Sequence, residues 1–332
     1  MPPLYVVQQN AKLRIENRHL LVERDGEPLA SLPLGQVSQV VLFGNIGLTT
    51  PAMHALLAHS VEVVLLSQDG AFLGRILGEM TPHVPLRRAQ YRRLDQPGFA
   101  LEVAKGFVRA KLGHQKALLQ RHNRQQPHPD ISAAVAAITR EIEDIPRKTA
   151  LSSLLGLEGA ATAAYFRGYR RLFTSEWRFQ DRNRRPPRDP VNVLLSLGYT
   201  LLASITQGAV QAAGLDPYAG FLHEVAYNRP ALALDIMEEF RPVVDGVALW
   251  ACRSRQLTPA DFRPGPPERP ILLSQEGQKR FLKAFEQRMD QRFTHPRRGV
   301  QLTLRQCLLE QARQVAERIL NDQPGYQGMG FR

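Results

Sequence analysis

The chain has almost no cysteine, which excludes a fold held by disulfides. Only Cys252 and Cys307 occur among 332 residues. They lack the paired spacing of a zinc site, and two residues cannot form a disulfide framework. We therefore expect both to be reduced and packed within helices. The 43% of hydrophobic residues is enough to build a sizeable core.

Acidic residues are also in deficit. The 31 Asp and Glu residues against 43 Lys and Arg residues give a formal net charge of +12. This excess favours a polyanionic partner, with nucleic acid preferred over a membrane. The sequence shows no unbroken apolar run of about 18 residues and no signal peptide pattern, so we expect a soluble, cytoplasmic protein of a prokaryote.

Short alternating segments with turn signals fill residues 1–80 and predict a small β-rich domain. Asp25-Gly26 and Asp69-Gly70 are the strongest turn signals, and Thr50 with Pro51 predicts the start of one helix. The expected strands are Leu4–Val7, Lys12–Ile15, His19–Glu23, Val37–Phe43, Val61–Leu66 and Ala71–Leu77.

The period becomes helical after a basic segment, residues 81–96, which contains Pro82 and Pro85 and is expected to be a linker. Residues 97–322 are expected to form a larger all-α domain, followed by a flexible tail at 323–332. The fold class is therefore α+β. The expected helices are Phe99–Arg124, Asp130–Ile145, Thr149–Phe173, Pro190–Ala213, Leu234–Phe240, Asp245–Arg253, Ser274–Phe293 and Leu302–Leu320.

One segment, Gly220 to Asp245, brings a histidine and two acids together in an otherwise apolar stretch. Asp235 and Glu238 are three residues apart and share a helix face, and His223 precedes them. Imidazole and carboxylate groups are ligands for Mn²⁺ or Mg²⁺. Two acids on a semi-apolar face are costly unless a cation binds them. The alternative is a structural histidine beside acids that only complement a helix end.

A third acid, Glu158, lies upstream in the apolar stripe of a predicted helix, in line with Leu154 and Ala161. A glutamate in such a stripe is rarely buried without a partner. The partner is either one of the many arginines or a metal ion shared with the downstream cluster.

Arginines are concentrated from Arg167, on the last part of this predicted helix, to Arg188 in the loop that follows, and Trp177 and Phe179 lie between them. Basic residues with interleaved aromatics are typical of a surface that follows phosphates and stacks bases. A solvated loop that only aids solubility is the alternative. Arg241, three residues beyond Glu238, could hold a scissile phosphate. The candidate DNA-binding residues are Arg167, Arg170, Arg178, Arg182, Arg184, Arg185 and Arg241.

Several nearby polar residues have less specific patterns. We expect Asp189, before Pro190, to cap a helix rather than to bind metal. Asn192, Ser196 and Tyr199 share a helix face, either to support the site or to pack. His114 and His122 lie on a basic helix and are expected at the surface.

Three segments together resemble the CRISPR spacer-acquisition integrase family, the first-numbered Cas protein. They are LLGLEGAATAAYF, RPPRDPVNVLLSLGYTLL and GLDPYAGFLHEVAYNRPALALDIMEEFRPVVD. The resemblance extends over nearly the whole chain. It implies that Glu158, His223 and Glu238 bind a divalent metal, Mn²⁺ or Mg²⁺, with Asp235 at a further acidic catalytic position. It also implies a homodimer formed through the β-rich domain and a complex with the small second-numbered Cas protein.

The function that the resemblance implies is a metal-dependent DNA endonuclease and integrase. It inserts short foreign DNA fragments into a CRISPR repeat array by 3′-hydroxyl attack on a phosphodiester, as part of antiviral defence. Two alternatives remain open. A general metal-dependent nuclease for branched or single-stranded DNA would use the same residues, and a non-enzymatic DNA-binding scaffold would use the carboxylates only structurally.

Overall fold

The computed structural model describes residues 2–79, 81–323 and 325–330. The chain divides into two compact units. One comprises Met1–Met80 with Leu272–Lys279, and the other comprises Thr81–Ile271 with Arg280–Arg332. The mixed α+β class is confirmed, since strands dominate the first unit and helices the second.

Two four-stranded sheets form the first unit, with strand orders β1-β5-β7-β8 and β4-β3-β2-β6. Strand β5 is buried along its whole length and pairs in parallel with β1 and β7, which explains its continuous apolar sequence. The elements are β1 Leu4–Val6, β2 Lys12–Glu16, β3 His19–Arg24, β4 Glu27–Pro33, β5 Gln39–Phe43, β6 Gly47–Leu48, α1 Thr50–Ala58, β7 Glu62–Leu66 and β8 Phe72–Ile76.

Strand β4 was not expected from the sequence. It pairs antiparallel with β3, but most of its residues are exposed or half-buried. An edge strand without a buried face carries no alternating apolar pattern, so periodicity could not reveal it.

The second unit consists of helices with a few short strands, of which β11 and β12 pair antiparallel. The elements after residue 81 are α2 Val84–Leu94, α3 Pro97–Gln125, α4 Pro129–Asp144, α5 Leu151–Tyr169, α6 Pro190–Ala212, α7 Ala231–Glu238, α8 Arg241–Arg253, β9 Phe262–Pro264, β10 Ile271–Leu273, α9 Gln275–Met289, β11 Arg292–Thr294, β12 Gln301–Thr303 and α10 Leu304–Leu320. Most of β10 and the first turn of α9 fall within Leu272–Lys279 and so belong to the first unit.

The segment that we expected to be a linker, residues 81–96, contains helix α2. Pro85 lies in its first turn, where a missing N–H costs nothing. The amide of Gln90 is fully buried and donates to the carbonyl oxygens of Asp216 and Ala219 at 2.9 and 2.8 Å. Pro85 therefore lies at the start of a packed helix, and residues 84–94 are not an open linker.

The C-terminal segment is also packed where the structure describes it. Tyr326 and Met329 are 4% and 1% exposed. The Tyr326 hydroxyl donates to the carboxylate of Glu239, and the backbone N–H of Met329 donates to the same group at 2.6 Å. The expected flexible tail is therefore wrong for residues 325–330, while positions 324, 331 and 332 lie outside the described residues.

Helix α6 is apolar enough, by length and composition, to cross a membrane, although the sequence has no unbroken apolar run. Its best 18-residue window has a mean hydropathy of 1.5, and 67% of that window is buried inside the protein. This burial is typical of a core helix. The two cysteines, on α8 and α10, are free and buried as expected.

Candidate metal and DNA site

Asp235 organises the loop that carries His223. Its buried carboxylate accepts backbone N–H groups of Phe221, Leu222 and His223 at 2.6, 2.9 and 2.9 Å. A side chain at Gly220 would place its Cβ 2.7 Å from Oδ2 of Asp235, so only glycine fits there. Both oxygens of Asp235 are thus occupied within the protein. It positions the loop and is not arranged as a metal ligand.

The same carboxylate fixes the tautomer of His223. Oδ1 of Asp235 lies 2.7 Å from Nδ1 of His223. A carboxylate oxygen accepts, so Nδ1 is the donor in this contact, and Nε2 is the ring nitrogen left to bind a metal. Histidines that bind metals are held in this way by a carboxylate on the opposite ring nitrogen.

Glu238 lies one helical turn beyond Asp235 on α7, and its side chain faces His223. Its Oε1 lies 2.8 Å from Nε of Arg241 and 3.9 Å from Nε2 of His223. Burial alone would raise the pKa of Glu238, but Arg241 and Lys111 outweigh it and hold the pKa well below its usual range. This carboxylate is therefore ionised at neutral pH.

Lys111, on α3, joins Glu158 to Glu238. Its Nζ forms an ion pair with Oε1 of Glu158, on α5, and lies 2.6 Å from Oε2 of Glu238. The hydroxyl of Thr162 also donates to Oε1 of Glu158 at 2.8 Å. The fold thus brings together all three residues that the sequence proposed as ligands, and it adds a lysine that the sequence analysis did not single out.

These donors have the chemistry that a hard or borderline divalent cation prefers, two carboxylates and one imidazole. Oε2 of Glu238 is buried and accepts no hydrogen bond of suitable geometry, although the Lys111 ammonium is close. Within the described residues, no group of three or more His, Cys, Asp or Glu is placed closely enough to hold an ion. The residues therefore fit a metal by type, while their carboxylates are closed around an ammonium.

A tyrosine network centred on Asp245 lies behind the site. The hydroxyls of Tyr165 and Tyr199 donate to its carboxylate, and the hydroxyl of Tyr169 donates to its backbone carbonyl. Burial raises the pKa of Asp245 to about 6, although the hydroxyl bonds oppose the shift. The guanidinium of Arg241 lies 4.7 Å from the centre of the Tyr199 ring. Tyr199 therefore connects Asp245 to the arginine that holds Glu238.

The arginine-rich residues 167–188 form what we call the arginine tract. The candidates in this tract, together with Arg241, divide into exposed and internal residues. Arg182 is half-buried and turns inward, donating to Oδ1 of Asn192 at 2.7 Å and Oγ of Ser196 at 3.2 Å. It therefore has a structural role, and its DNA contact stays a prediction. Arg170 is partly buried, and Arg241 is mostly buried beside Glu238. The exposed candidates are Arg167, Arg178, Arg184 and Arg185.

The aromatic residues of this tract do not form a stacking surface. Trp177 and Phe179 are 3% and 5% exposed. Phe179 packs against Tyr169 with ring centres 5.7 Å apart, and Trp177 packs against Phe262 at 6.1 Å. The expectation of base stacking by these residues is therefore wrong, because both belong to the core.

Other polar residues near the site have structural roles. Asp189 caps α6 by accepting the N–H of Asn192, as expected. His114 is not at the surface: it is 7% exposed, its Nδ1 lies 2.6 Å from the carbonyl oxygen of Glu239, and burial lowers its pKa to about 4. His122 is partly buried, and its Nδ1 lies 3.3 Å from Arg253.

Comparison with known proteins gives a consistent result. The sequence model of the family described as "CRISPR associated protein Cas1" matches residues 4–287. The chain is 36% identical to "CRISPR-associated endonuclease Cas1 3" of Thermus thermophilus over 332 residues, covering 99% of this chain and 97% of the relative. It is also 36% identical to a "CRISPR-associated exonuclease Cas4/endonuclease Cas1 fusion" of Geobacter sulfurreducens, where it covers 98% of this chain but spans only 59% of the relative's length.

A solved structure agrees with these sequence matches. A chain of a Cas6-RT-Cas1–Cas2 complex superposes with a TM-score of 0.83 at 30% identity. The superposition covers 98% of this chain and 36% of that longer chain. The similarity therefore extends over both units of the chain described above.

Proposed function

Since the chain belongs to the CRISPR-associated Cas1 family, we propose that it is a metal-dependent DNA endonuclease and strand-transfer integrase. It inserts short DNA fragments into a CRISPR repeat array. The observation that carries this proposal is that Lys111 contacts both Glu158 and Glu238, and that Nε2 of His223 lies 3.9 Å from Glu238, although these residues come from separate parts of the chain. A scaffold without chemistry would not need an imidazole that is oriented by one carboxylate and faces another.

Glu158, Glu238 and Nε2 of His223 are the groups that would hold Mn²⁺ or Mg²⁺. When bound, such an ion supplies Lewis-acid polarisation of a phosphodiester oxygen. Asp235 keeps the lone pair of His223 on Nε2, and Arg241 fixes Oε1 of Glu238. The exposed arginines contact phosphates and hold the strand in register.

The nucleophile distinguishes the two activities of this site. In strand transfer, the 3′-hydroxyl oxygen of the incoming fragment forms a bond to phosphorus and loses its proton to solvent. The target's own 3′ oxygen leaves and takes up a proton from solvent to become a free hydroxyl. In cleavage, water replaces the hydroxyl. We assign both reactions to the same residues, so a general nuclease remains the alternative that only a strand-transfer assay excludes.

The proposed partners follow from charge and from the relatives. The net charge of +12 suits DNA, both the incoming fragment and the repeat array. The similar solved chain comes from a complex that contains Cas2. We propose that this chain also acts with a Cas2 protein, as a homodimer formed through its β-rich unit, in the cytoplasm.

The test is an assay that supplies both substrates at once. Purified protein with its Cas2 partner is mixed with fragments bearing free 3′ ends and a plasmid that carries the repeat. We expect covalent joining in Mn²⁺ or Mg²⁺ and none in excess chelator. Glu143→Gln, which changes an exposed carboxylate on α4, serves as a matched control and should join normally. Cleavage without joining would favour the general nuclease, and metal-independent function would favour the scaffold.

A further inference from the structure

The ammonium of Lys111 occupies the position between the two candidate carboxylate ligands. Its side chain is 8% exposed, and those of Glu158 and Glu238 are 20% and 6% exposed. Two carboxylates that approach each other at such burial repel strongly unless a cation separates them. Here the Lys111 ammonium supplies that charge.

Arg241 cannot replace Lys111 in this position. Its Nε contacts Oε1 of Glu238, whereas the ammonium faces Oε2, and Glu158 has no arginine among its contacts in the described residues. The contact from Nζ of Lys111 to Oε2, at 2.6 Å, has the short distance of an ion pair. Oε2 is thus held mainly by charge, which a different cation can also provide.

A divalent cation bound to these oxygens would lie within direct repulsion distance of the ammonium. Coordination bonds from Mg²⁺ to oxygen ligands are about 2.0–2.1 Å, shorter than the 2.6 Å contact from Nζ to Oε2. Lysine has a flexible four-carbon stem and a strongly hydrated charge. Glu158 is the more exposed acid, so the ammonium can turn toward water on that side of the site.

We propose that Lys111 is a resident counter-ion that holds the carboxylates of Glu158 and Glu238 together without metal and is exchanged when a divalent cation enters. This inference rests on the proposed metal site. It makes the Lys111 ammonium a competitor of the divalent cation for the two carboxylates. The exchange lowers the affinity for metal and protects the metal-free fold from repulsion between the two acids.

The exchange predicts opposite effects of removing the lysine charge. Lys111→Met keeps most of the stem but leaves two acids without their shared cation. We expect the metal-free variant to melt several degrees below the wild type and to bind Mn²⁺ at least tenfold more tightly. Saturating Mn²⁺ should therefore stabilise the variant more than it stabilises the wild type.

The experiment measures free Mn²⁺ by electron paramagnetic resonance and melting temperature by calorimetry, without any activity assay. Lys111→Arg retains the charge and should bind Mn²⁺ no more tightly than the wild type. Lys105→Met removes one lysine charge from the same helix, where its ammonium contacts Glu102, and should leave the Mn²⁺ affinity unchanged. His223→Ala should weaken Mn²⁺ binding if the proposed ligands are correct.

The outcomes separate the two proposals. Equal Mn²⁺ affinity for Lys111→Met and the wild type, with weakened binding by His223→Ala, overturns the exchange and leaves the metal site intact. Unchanged binding by His223→Ala overturns the ligand set instead, and absence of Mn²⁺ binding in every variant overturns both. If Lys111→Met is unfolded without metal, recovery of the folded state in Mn²⁺ supports the exchange, and failure to recover overturns it.

Discussion

Nδ1 of His223 lies 2.7 Å from Oδ1 of Asp235, and this contact determines which ring nitrogen faces the site. Asp235 also accepts three backbone N–H groups from the loop that contains the histidine. The position and tautomer of His223 therefore depend on one buried carboxylate. Asp235 acts through His223 rather than on a ligand or substrate.

Asp235→Asn tests this dependence. The amide would place an N–H₂ group against backbone N–H donors or against the protonated Nδ1, so the loop would lose at least one hydrogen bond. We expect metal affinity to fall by about 10–100-fold, as for other partners of metal-binding histidines. Isothermal titration with Mn²⁺ measures this loss, while DNA affinity should change little. Metal binding equal to that of the wild type would show that Asp235 does not orient His223.

Replacement of Arg184 and Arg185 by Ala tests the exposed part of the arginine tract. We expect weaker DNA binding and a salt dependence whose log–log slope is smaller by about 0.9 for each lost phosphate contact. Fluorescence anisotropy across a salt series measures the slope, and Mn²⁺ affinity should stay the same. An unaltered slope would mean that the two residues only aid solubility.

Arg182→Ala is the matched comparison within the same loop. Because Arg182 donates to Asn192 and Ser196 inside the protein, its loss should reduce the free energy of unfolding by about 1–3 kcal/mol. The Arg184 and Arg185 variants should not be destabilised in this way. Urea denaturation distinguishes the internal arginine from the exposed pair.

The pH dependence of stability tests the buried carboxylate of Asp245. Burial raises its pKa to about 6 in the folded protein, above its usual value of 3.8. The folded state thus binds the proton more tightly than the unfolded state. Asp245 contributes most stability below its unfolded pKa, and this contribution is lost as pH rises through about 6.

Asp245→Asn removes this titration and keeps one oxygen acceptor for the tyrosine hydroxyls. We expect the wild type to lose stability relative to the variant between about pH 4 and pH 6, by about 1.4 kcal/mol for each unit of pKa shift. Urea denaturation of both proteins at several pH values measures the difference. A difference that does not vary with pH would contradict the raised pKa of Asp245.

The sequence could predict those parts of the fold and site that local patterns encode. Helical spacing placed Asp235 and Glu238 on one short helix, and α7 contains both. The next helix, α8, starts at Arg241 with Pro242 in its first turn, where a proline is tolerated. The edge strand β4 and helix α2 lacked the patterns on which such predictions depend.

Lys111 and the Asp245 network could not be predicted from local patterns. Lys111 meets Glu158 and Glu238 only because α3, α5 and α7 pack together, and nothing in the segment AKLGHQ marks the lysine as internal. The aromatic residues between the arginines gave a wrong prediction, because their pattern indicated an exposed surface for stacking bases. Trp177 and Phe179 lie next to arginines in sequence, but the chain turns their side chains into the core.

Glu158 and His223 are proposed to serve chemistry, and the exposed arginines are proposed to serve DNA affinity. The most direct test measures strand transfer and DNA affinity on the same preparations of Glu158→Gln, His223→Ala and the control Glu143→Gln. We predict loss of joining and cleavage in the first two variants, with DNA affinity within a few-fold of the wild type, and no loss in the control. Joining by Glu158→Gln at the wild-type rate, or by the wild type in excess chelator, would contradict the account.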